Sequence, residues 1–194
     1  LSSMTRAARS GIIIKSGRHM ERLAEVDTII FDKTGTLTSG LPEVNQVITY
    51  DDNFSETTLI GMAAAAESKL QHPVAEAIRR KARVLGCAIT VCNEPKYSVG
   101  MGVEAEVDEY RLHIGNERFM RHENININKT SIQRSNLENS GYSCLYLAIN
   151  RKLVALISYA DQIRPESKSI IRRLNELGIK NTIIGIQLLK HGNG

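Results

Sequence analysis

Tryptophan is absent from this chain, and three phenylalanines and six tyrosines bring the aromatic share to only 5%. Stacking on nucleic acid bases needs aromatic side chains set among basic ones, so nucleic acid is not an expected partner. Cysteine is scarce as well. Cys87 and Cys92 have four residues between them, Cys144 stands far off, and no second pair or neighbouring histidine completes a zinc spacing or a disulfide framework. Reduced thiols in a cytosolic setting are expected, which makes the sequon Asn128-Lys129-Thr130 incidental. No apolar run approaches the roughly 20 residues that cross a bilayer, and the chain starts at Leu1 with no secretory leader. It is therefore read as a piece of a longer protein.

What is present is ordinary for a globular protein: 42% hydrophobic and 24% charged residues in 194, enough for one or two domains. Much of the net charge of +4 is early, in Arg6, Arg9, Lys15, Arg18 and Arg22, which form a solvated face or a segment near phosphates or lipid headgroups. Val26–Phe31 is a β-rich apolar run that stops at a glycine-containing loop, the pattern of a buried parallel strand. Ser55 can cap a helix through Leu59, Met62 and Ala63–Ala66. Pro73 opens a second helix, with Val74, Ile78, Ala82 and Leu85 repeating and Gly86 ending it.

The period then changes to two. Val103, Ala105 and Val107 alternate with Glu104, Glu106 and Asp108, and Leu112 and Ile114 with Arg111 and His113, predicting a hairpin that turns near Asp108-Glu109. Tyr142–Ile149 and Leu153–Tyr159 predict another around Asn150-Arg151. The asparagine-rich stretch 124–139 reads as the least ordered part, a surface loop with a helical portion. Pro165 begins a helix carrying Ile170, Ile171, Leu174 and Leu177 on one face, closed by Gly178, and Asn181–Ile184 is another short strand. An α/β unit is thus interrupted by a long α+β insertion.

The chemistry concentrates where the first strand ends. Asp32 is followed by Lys33-Thr34-Gly35-Thr36-Leu37-Thr38, a loop of small and hydroxyl residues whose backbone N–H groups can hold phosphate oxygens, with Thr36 adding a hydroxyl donor. A carboxylate there suits a nucleophile that attacks the terminal phosphorus of ATP to give an acyl phosphate, with Mg2+ offsetting the charge. In phosphatases of this loop type the second residue after the nucleophile is an aspartate acting as acid and base; here it is Thr34. With no proton acceptor beside it, water attacks the acyl phosphate slowly and the intermediate persists.

Asp32 to Thr38 resembles, letter for letter, the phosphorylation signature of the P-type ATPases. Glu67, His72-Pro73, Gly100-Met101-Gly102 and Ile114-Gly115-Asn116 resemble, in the same order, the nucleotide-binding set of the heavy-metal pumps of that family. The basic segment Arg6–Leu23 is similar to the family's link from the membrane domain, and Asp161-Gln162-Ile163-Arg164-Pro165-Glu166 to the return into the phosphorylation domain. The resemblance implies a partial haloacid-dehalogenase-like, Rossmann-like phosphorylation domain interrupted by an α+β nucleotide-binding domain with an antiparallel sheet. Its parts would be a linker (1–25), the first phosphorylation segment (26–42), the nucleotide-binding domain (43–160) and the second phosphorylation segment (161–194). It also implies Asp32, Lys33, Thr34 and Thr36 as catalytic residues, with Asp32 and Thr34 at Mg2+. Glu67, His72, Gly100, Gly102, Gly115 and Asn116 would bind ATP: Glu67 accepting from the adenine amine, His72 orienting the nucleotide at a helix start, Gly100 and Gly102 admitting it closely, Asn116 donating to ribose or phosphates. The transported heavy-metal cation and the actuator and membrane domains of a multi-pass parent would complete the list of partners, with this part on the cytoplasmic side.

Two departures stand out. Gln71 precedes the His-Pro pair where many relatives have glutamate. After Ile184, where the family has Thr-Gly-Asp, the chain reads Gly185-Ile186-Gln187 and ends at Gly194. A one-base reading-frame error would account for that tail, and the expectation is ATP binding without efficient autophosphorylation. The alternatives are a nucleotide-binding module that transports nothing, and a phosphatase of the same fold, against which Thr34 argues.

Overall fold

The predicted strands, with two more at the sheet's ends, build one six-stranded sheet in the order β2 (Thr38–Thr49), β7 (Lys152–Ile163), β6 (Ser143–Ile149), β5 (Tyr110–Gly115), β4 (Gly102–Val107) and β3 (Cys92–Ser98). In the computed structural model, which describes residues 3–89 and 92–184, neighbours from β3 to β7 run antiparallel. Both predicted hairpins form. Asp108 (φ 54°), Asn150 (φ 48°) and Arg151 (φ 63°) adopt the left-handed backbone that short hairpin loops require. β3 escapes a reading by alternation because Pro95 and a register shift between Asn93 and Lys96 interrupt it, both tolerated at a sheet edge.

Successive residues of β6 and β7 point to opposite faces, and each face has a core. On one, α3 (Glu56–Ala66) and α4 (Pro73–Val84) bury Leu59, Ile60, Ala63–Ala66, Ile78 and Ala82 against Val103, Ala105, Leu112, Ile114 and Leu147. The predicted cap holds: Ser55 Oγ accepts from the Thr58 N–H at 3.1 Å. On the other face, α5 (Glu117–His122) brings Phe119 and Met120 onto Tyr146, Ala148, Leu153 and Leu156.

The asparagine-rich stretch is more ordered than its composition predicts. It contains a short turn at Asn128–Thr130 and α6 (Ser131–Asn139). Ile125 and Thr130 are buried, and Lys129 Nζ donates to the Leu153 carbonyl at 3.0 Å. One apolar anchor and backbone hydrogen bonds fix a segment that lacks a hydrophobic period.

By its internal packing the chain divides into Gly40–Gln162 and a second unit made of Leu1–Ser39 with Ile163–Gly194. In the second unit, β1 (Thr28–Asp32) and β8 (Lys180–Ile184) pair in parallel, Thr28 opposite Lys180 and Asp32 opposite Ile184. The expected parallel strand is there, but its burial is only partial: Ile29 and Phe31 are half-buried while Ile30 is 65% exposed, and among the described residues this sheet has two strands. On α7 (Pro165–Glu176) the expected apolar face is half covered, with Ile171 and Leu174 half-buried, Ile170 and Leu177 exposed, and Ser167 the helix's buried residue. The basic segment forms α1 (Ser3–Arg9) and α2 (Gly17–Ala24), neither with a buried residue. No helix among the described residues is long and apolar enough to cross a membrane. The tail 185–194, on which the departure from the family pattern falls, lies outside the described residues.

Candidate functional site

β1 delivers Asp32, exposed, to its carboxyl end. The chain then turns through Lys33–Leu37, with Gly35 at φ 79°, a conformation glycine adopts without strain. Thr38 braces the turn from within: its Oγ1 accepts the Gly35 N–H at 3.1 Å and donates to the Lys33 carbonyl at 3.2 Å. The Gly35 N–H is therefore already engaged by the protein, which narrows the expectation that the loop's N–H groups hold phosphate.

The other half of the unit braces the turn from behind. Arg164 donates through Nε to the Thr38 carbonyl (3.1 Å), through a terminal guanidinium nitrogen to the Gly35 carbonyl (3.2 Å) and through its backbone N–H to the Leu37 carbonyl (2.9 Å). Ser167 Oγ also donates to the Leu37 carbonyl, at 2.9 Å. Arg164 falls in the stretch that resembles the family's return segment, but neither it nor Ser167 was expected to position the Asp32 loop; a hydrogen bond to a carbonyl more than a hundred positions away leaves no local pattern. Asp32, Thr34 and Thr36 remain exposed while Lys33 is half-buried, so the loop offers one carboxylate and two hydroxyls at its surface.

In Gly40–Gln162 the nucleotide candidates form two groups. Glu67 and His72 bracket the turn between α3 and α4. Glu67 closes α3 and is 8% exposed; burial pushes its carboxyl up to about 7, and the nearby Arg79 guanidinium opposes that only in part. His72 caps α4: its Nδ1 accepts the Val74 N–H at 3.3 Å, which leaves Nε2 as the N–H donor of an exposed ring. Arg79, another residue absent from the sequence reading, ties the turn together by donating to the carbonyls of Glu67 and Leu70 and to Glu76. Tyr97, on β3, lies close enough to Glu67 to feel it: burial first and the Glu67 carboxylate second hold its phenol above the usual range.

Gly100, Gly102, Gly115 and Asn116 form the second group. Gly102 and Gly115 face each other across β4 and β5. A Cβ on Gly102 would lie 2.3 Å from the Ile114 carbonyl and 2.6 Å from Phe119; one on Gly115 would lie 2.5 Å from the Met101 carbonyl. Both glycines thus have a packing reason to exist, apart from any ligand. Gly100 differs, with φ 69° and nothing within 4 Å of where its Cβ would be, so its side of the turn is open to an approaching group. Asn116 spends its side chain on the fold: Oδ1 accepts the Phe119 N–H that starts α5 (3.1 Å), and Nδ2 donates to the Gly100 carbonyl (2.9 Å). It shapes the glycine turn, and these two bonds use only one of its two Nδ2 hydrogens. The cleft lined by Asp108, Glu109, Tyr110 and Asn150 is at the opposite end of the β4–β5 hairpin.

Comparison with known proteins gives a consistent picture. The family model described as haloacid dehalogenase-like hydrolase matches residues 26–186. A probable cadmium-transporting ATPase of Staphylococcus aureus (strain MRSA252) is 32% identical over 190 residues, covering 95% of this chain and 26% of that protein. A probable copper-transporting ATPase of Synechococcus elongatus is 34% identical over 175 residues, covering 90% of this chain and 23% of that protein. Among solved structures, a zinc-transporting PIB-type ATPase in its E2.Pi state aligns with a TM-score of 0.80 at 33% identity, over 93% of this chain and 29% of that one. The chain spans about a quarter of the length of these curated relatives.

Proposed function

As this chain belongs to the haloacid dehalogenase-like hydrolases and has heavy-metal-transporting P-type ATPases as its relatives, we propose that it is the phosphorylation and nucleotide-binding part of an ATP-driven heavy-metal-cation pump. The observation that carries the reading is the Asp32 loop: an exposed carboxylate at the end of a parallel strand, with its turn held by Arg164, Ser167 and Thr38. A Thr34 in place of the acid of phosphatases favours a lasting intermediate.

In this mechanism ATP sits on Gly40–Gln162, with adenine against Glu67 and the His72 Nε2–H as a donor to the nucleotide. A neutral Glu67 carboxyl both donates and accepts, which suits the donor–acceptor edge of adenine better than an anion does. An Asp32 oxygen attacks the γ-phosphorus; the bond to the β-bridging oxygen breaks, ADP leaves with the electron pair, and an aspartyl phosphate remains. Lys33 supplies positive charge beside the transferred group and Thr36 a hydroxyl. Oxygen donors suit Mg2+, and the exposed Asp32 carboxylate with Thr34 two residues on fits that preference. Asp32 and Thr34 would hold the ion, whose chemistry is to offset charge between carboxylate and phosphate. Membrane and actuator domains of the parent would couple this to transport. The relatives named above are cadmium-, copper- and zinc-transporting ATPases, and residues elsewhere in the parent would select the ion.

The test is an ATP titration of the isotope-labelled chain followed by backbone amide signals. Saturable shifts around Glu67, His72 and Gly100, weakened by His72→Ala, are expected. A folded spectrum unmoved by millimolar ATP would overturn the nucleotide site.

A further inference from the structure

The sheet face under α5 holds a cluster that the nucleotide reading does not use. Glu104 on β4 stands directly opposite His113 on β5, and Glu123, the residue that closes α5, comes up beside them. A ligand atom from each of the three lies within 4.8 Å of the other two. By its place in the alternation with Leu112 and Ile114, His113 reads as a solvent-facing residue, yet it is 1% exposed. Its Nδ1 has no hydrogen-bond partner among the described residues, and its Nε2 faces Glu123 Oε2 at 3.8 Å, beyond hydrogen-bonding range.

We propose that Glu104, His113 and Glu123 form a binding site for one divalent transition ion of the zinc type. The donor set is one imidazole nitrogen and two carboxylate oxygens. Imidazole selects against Mg2+ and Ca2+, which take oxygen, and the lack of a thiolate selects against soft monovalent copper. Zinc with bonds near 2.0–2.1 Å at tetrahedral angles places its ligands about 3.4 Å apart; the His113–Glu123 approach of 3.8 Å needs little closure.

The rival cations are weakly engaged. Arg111 Nε is 3.6 Å from Glu104 and a terminal nitrogen of Arg151 is 3.8 Å from Glu123 Oε2, with the two side chains 53% and 60% exposed, so both can swing aside. His122 Nδ1 holds Glu123 Oε1 at 2.9 Å, which orients the carboxylate with Oε2 towards His113. An ion here would pin the end of α5 to the β4–β5 hairpin. This inference stands on the cluster alone and is independent of the pump reading.

Calorimetric titration of the full chain with zinc chloride in a non-chelating buffer tests it. One equivalent is expected to bind in the micromolar range, with magnesium and calcium chlorides giving no such isotherm. Glu104→Gln and Glu123→Gln, both outside the packed cores, should each weaken zinc at least tenfold while leaving the thermal transition of the metal-free chain in place. The triple Cys87→Ser, Cys92→Ser, Cys144→Ser variant should retain the full equivalent, and zinc should move the ring-nitrogen signals of His113. A folded chain with no saturable zinc binding would overturn the site, as would binding that survives both carboxylate variants or disappears with the cysteines.

Discussion

The two units of this chain hold their candidate residues in different ways. In Gly40–Gln162, two hydrophobic clusters on opposite faces of one sheet contain Leu59, Ile114, Leu147 and Leu156 at 0% exposure. Glu67, Gly102 and Gly115 are set into or against that packing. In the unit formed by Leu1–Ser39 and Ile163–Gly194, the buried residues among those described are Leu37, Thr38 and Ser167, and these are the points where the Asp32 loop meets Arg164 and Ser167. Packing positions one half of the chemistry and backbone-directed hydrogen bonds position the other. The same kind of substitution should therefore have different consequences in each.

The largest contrast is in core truncation. Leu59→Ala should destabilise Gly40–Gln162 by about 2–5 kcal/mol, the range for cavities in a close-packed core. Ile30→Ala, at a position 65% exposed on β1, should change stability by less than about 1 kcal/mol. Urea unfolding of both variants checks the pair. Equal losses would show that β1 is covered after all, and the distinction between the units would fail.

Next in size is Glu67. Its folded carboxyl, pushed to about 7 from an ordinary 4.5, is raised above the unfolded value. Its contribution is therefore fully present below the unfolded pKa and is lost as pH rises through the folded one. Above pH 7 the fold carries a buried charge worth about 3 kcal/mol. Glu67→Gln should remove that penalty: the difference in unfolding free energy between variant and wild type should grow by about 3 kcal/mol from about pH 4.5 to pH 8. A flat difference would mean that Arg79 neutralises the carboxylate and that packing at this turn imposes no charge cost.

Much of this was legible in the sequence, and for physical reasons. Alternation marked β4 and β5 because one face of each packs on α3 and α4; Ser55 and Pro73 marked helix starts because caps and first turns are local chemistry. The Asp32 loop was legible because its signature is contiguous. What stayed hidden was non-local: Arg164 reaching Gly35 and Thr38, Arg79 reaching Glu67, and the burial of His113 against an expected solvent face. Glycine was legible but ambiguous. Gly115 fits a nucleotide motif, yet its surroundings require it without one, so Gly115→Ala should cost about 1–3 kcal/mol through clashes with the Met101 carbonyl and Phe119. Gly100→Ala has no such clash and suffers from its positive φ alone. Thermal melts of the two variants separate packing from conformation: a smaller loss for Gly115→Ala would remove the packing account.

The smallest effect should be the most local. Arg164→Ala deletes two guanidinium hydrogen bonds, to the Thr38 and Gly35 carbonyls, but leaves the Leu37 contacts from its own backbone N–H and from Ser167 Oγ. Charged donors to part-exposed carbonyls are worth about 1–2 kcal/mol together, or about tenfold in an opening equilibrium. Amide exchange at Gly35 and Thr38 should then quicken about tenfold, while amides of β5 and β6, in a unit Arg164 does not hold, keep their protection. Arg164→Lys should not restore the loop, because a single ammonium cannot span two carbonyls from the guanidinium's geometry. Exchange that quickened equally in β5 would mean the loop is coupled to the sheet core. The hydrogen-bonded footing of Asp32 would then be part of the packed half of the molecule, with no separate mode of its own.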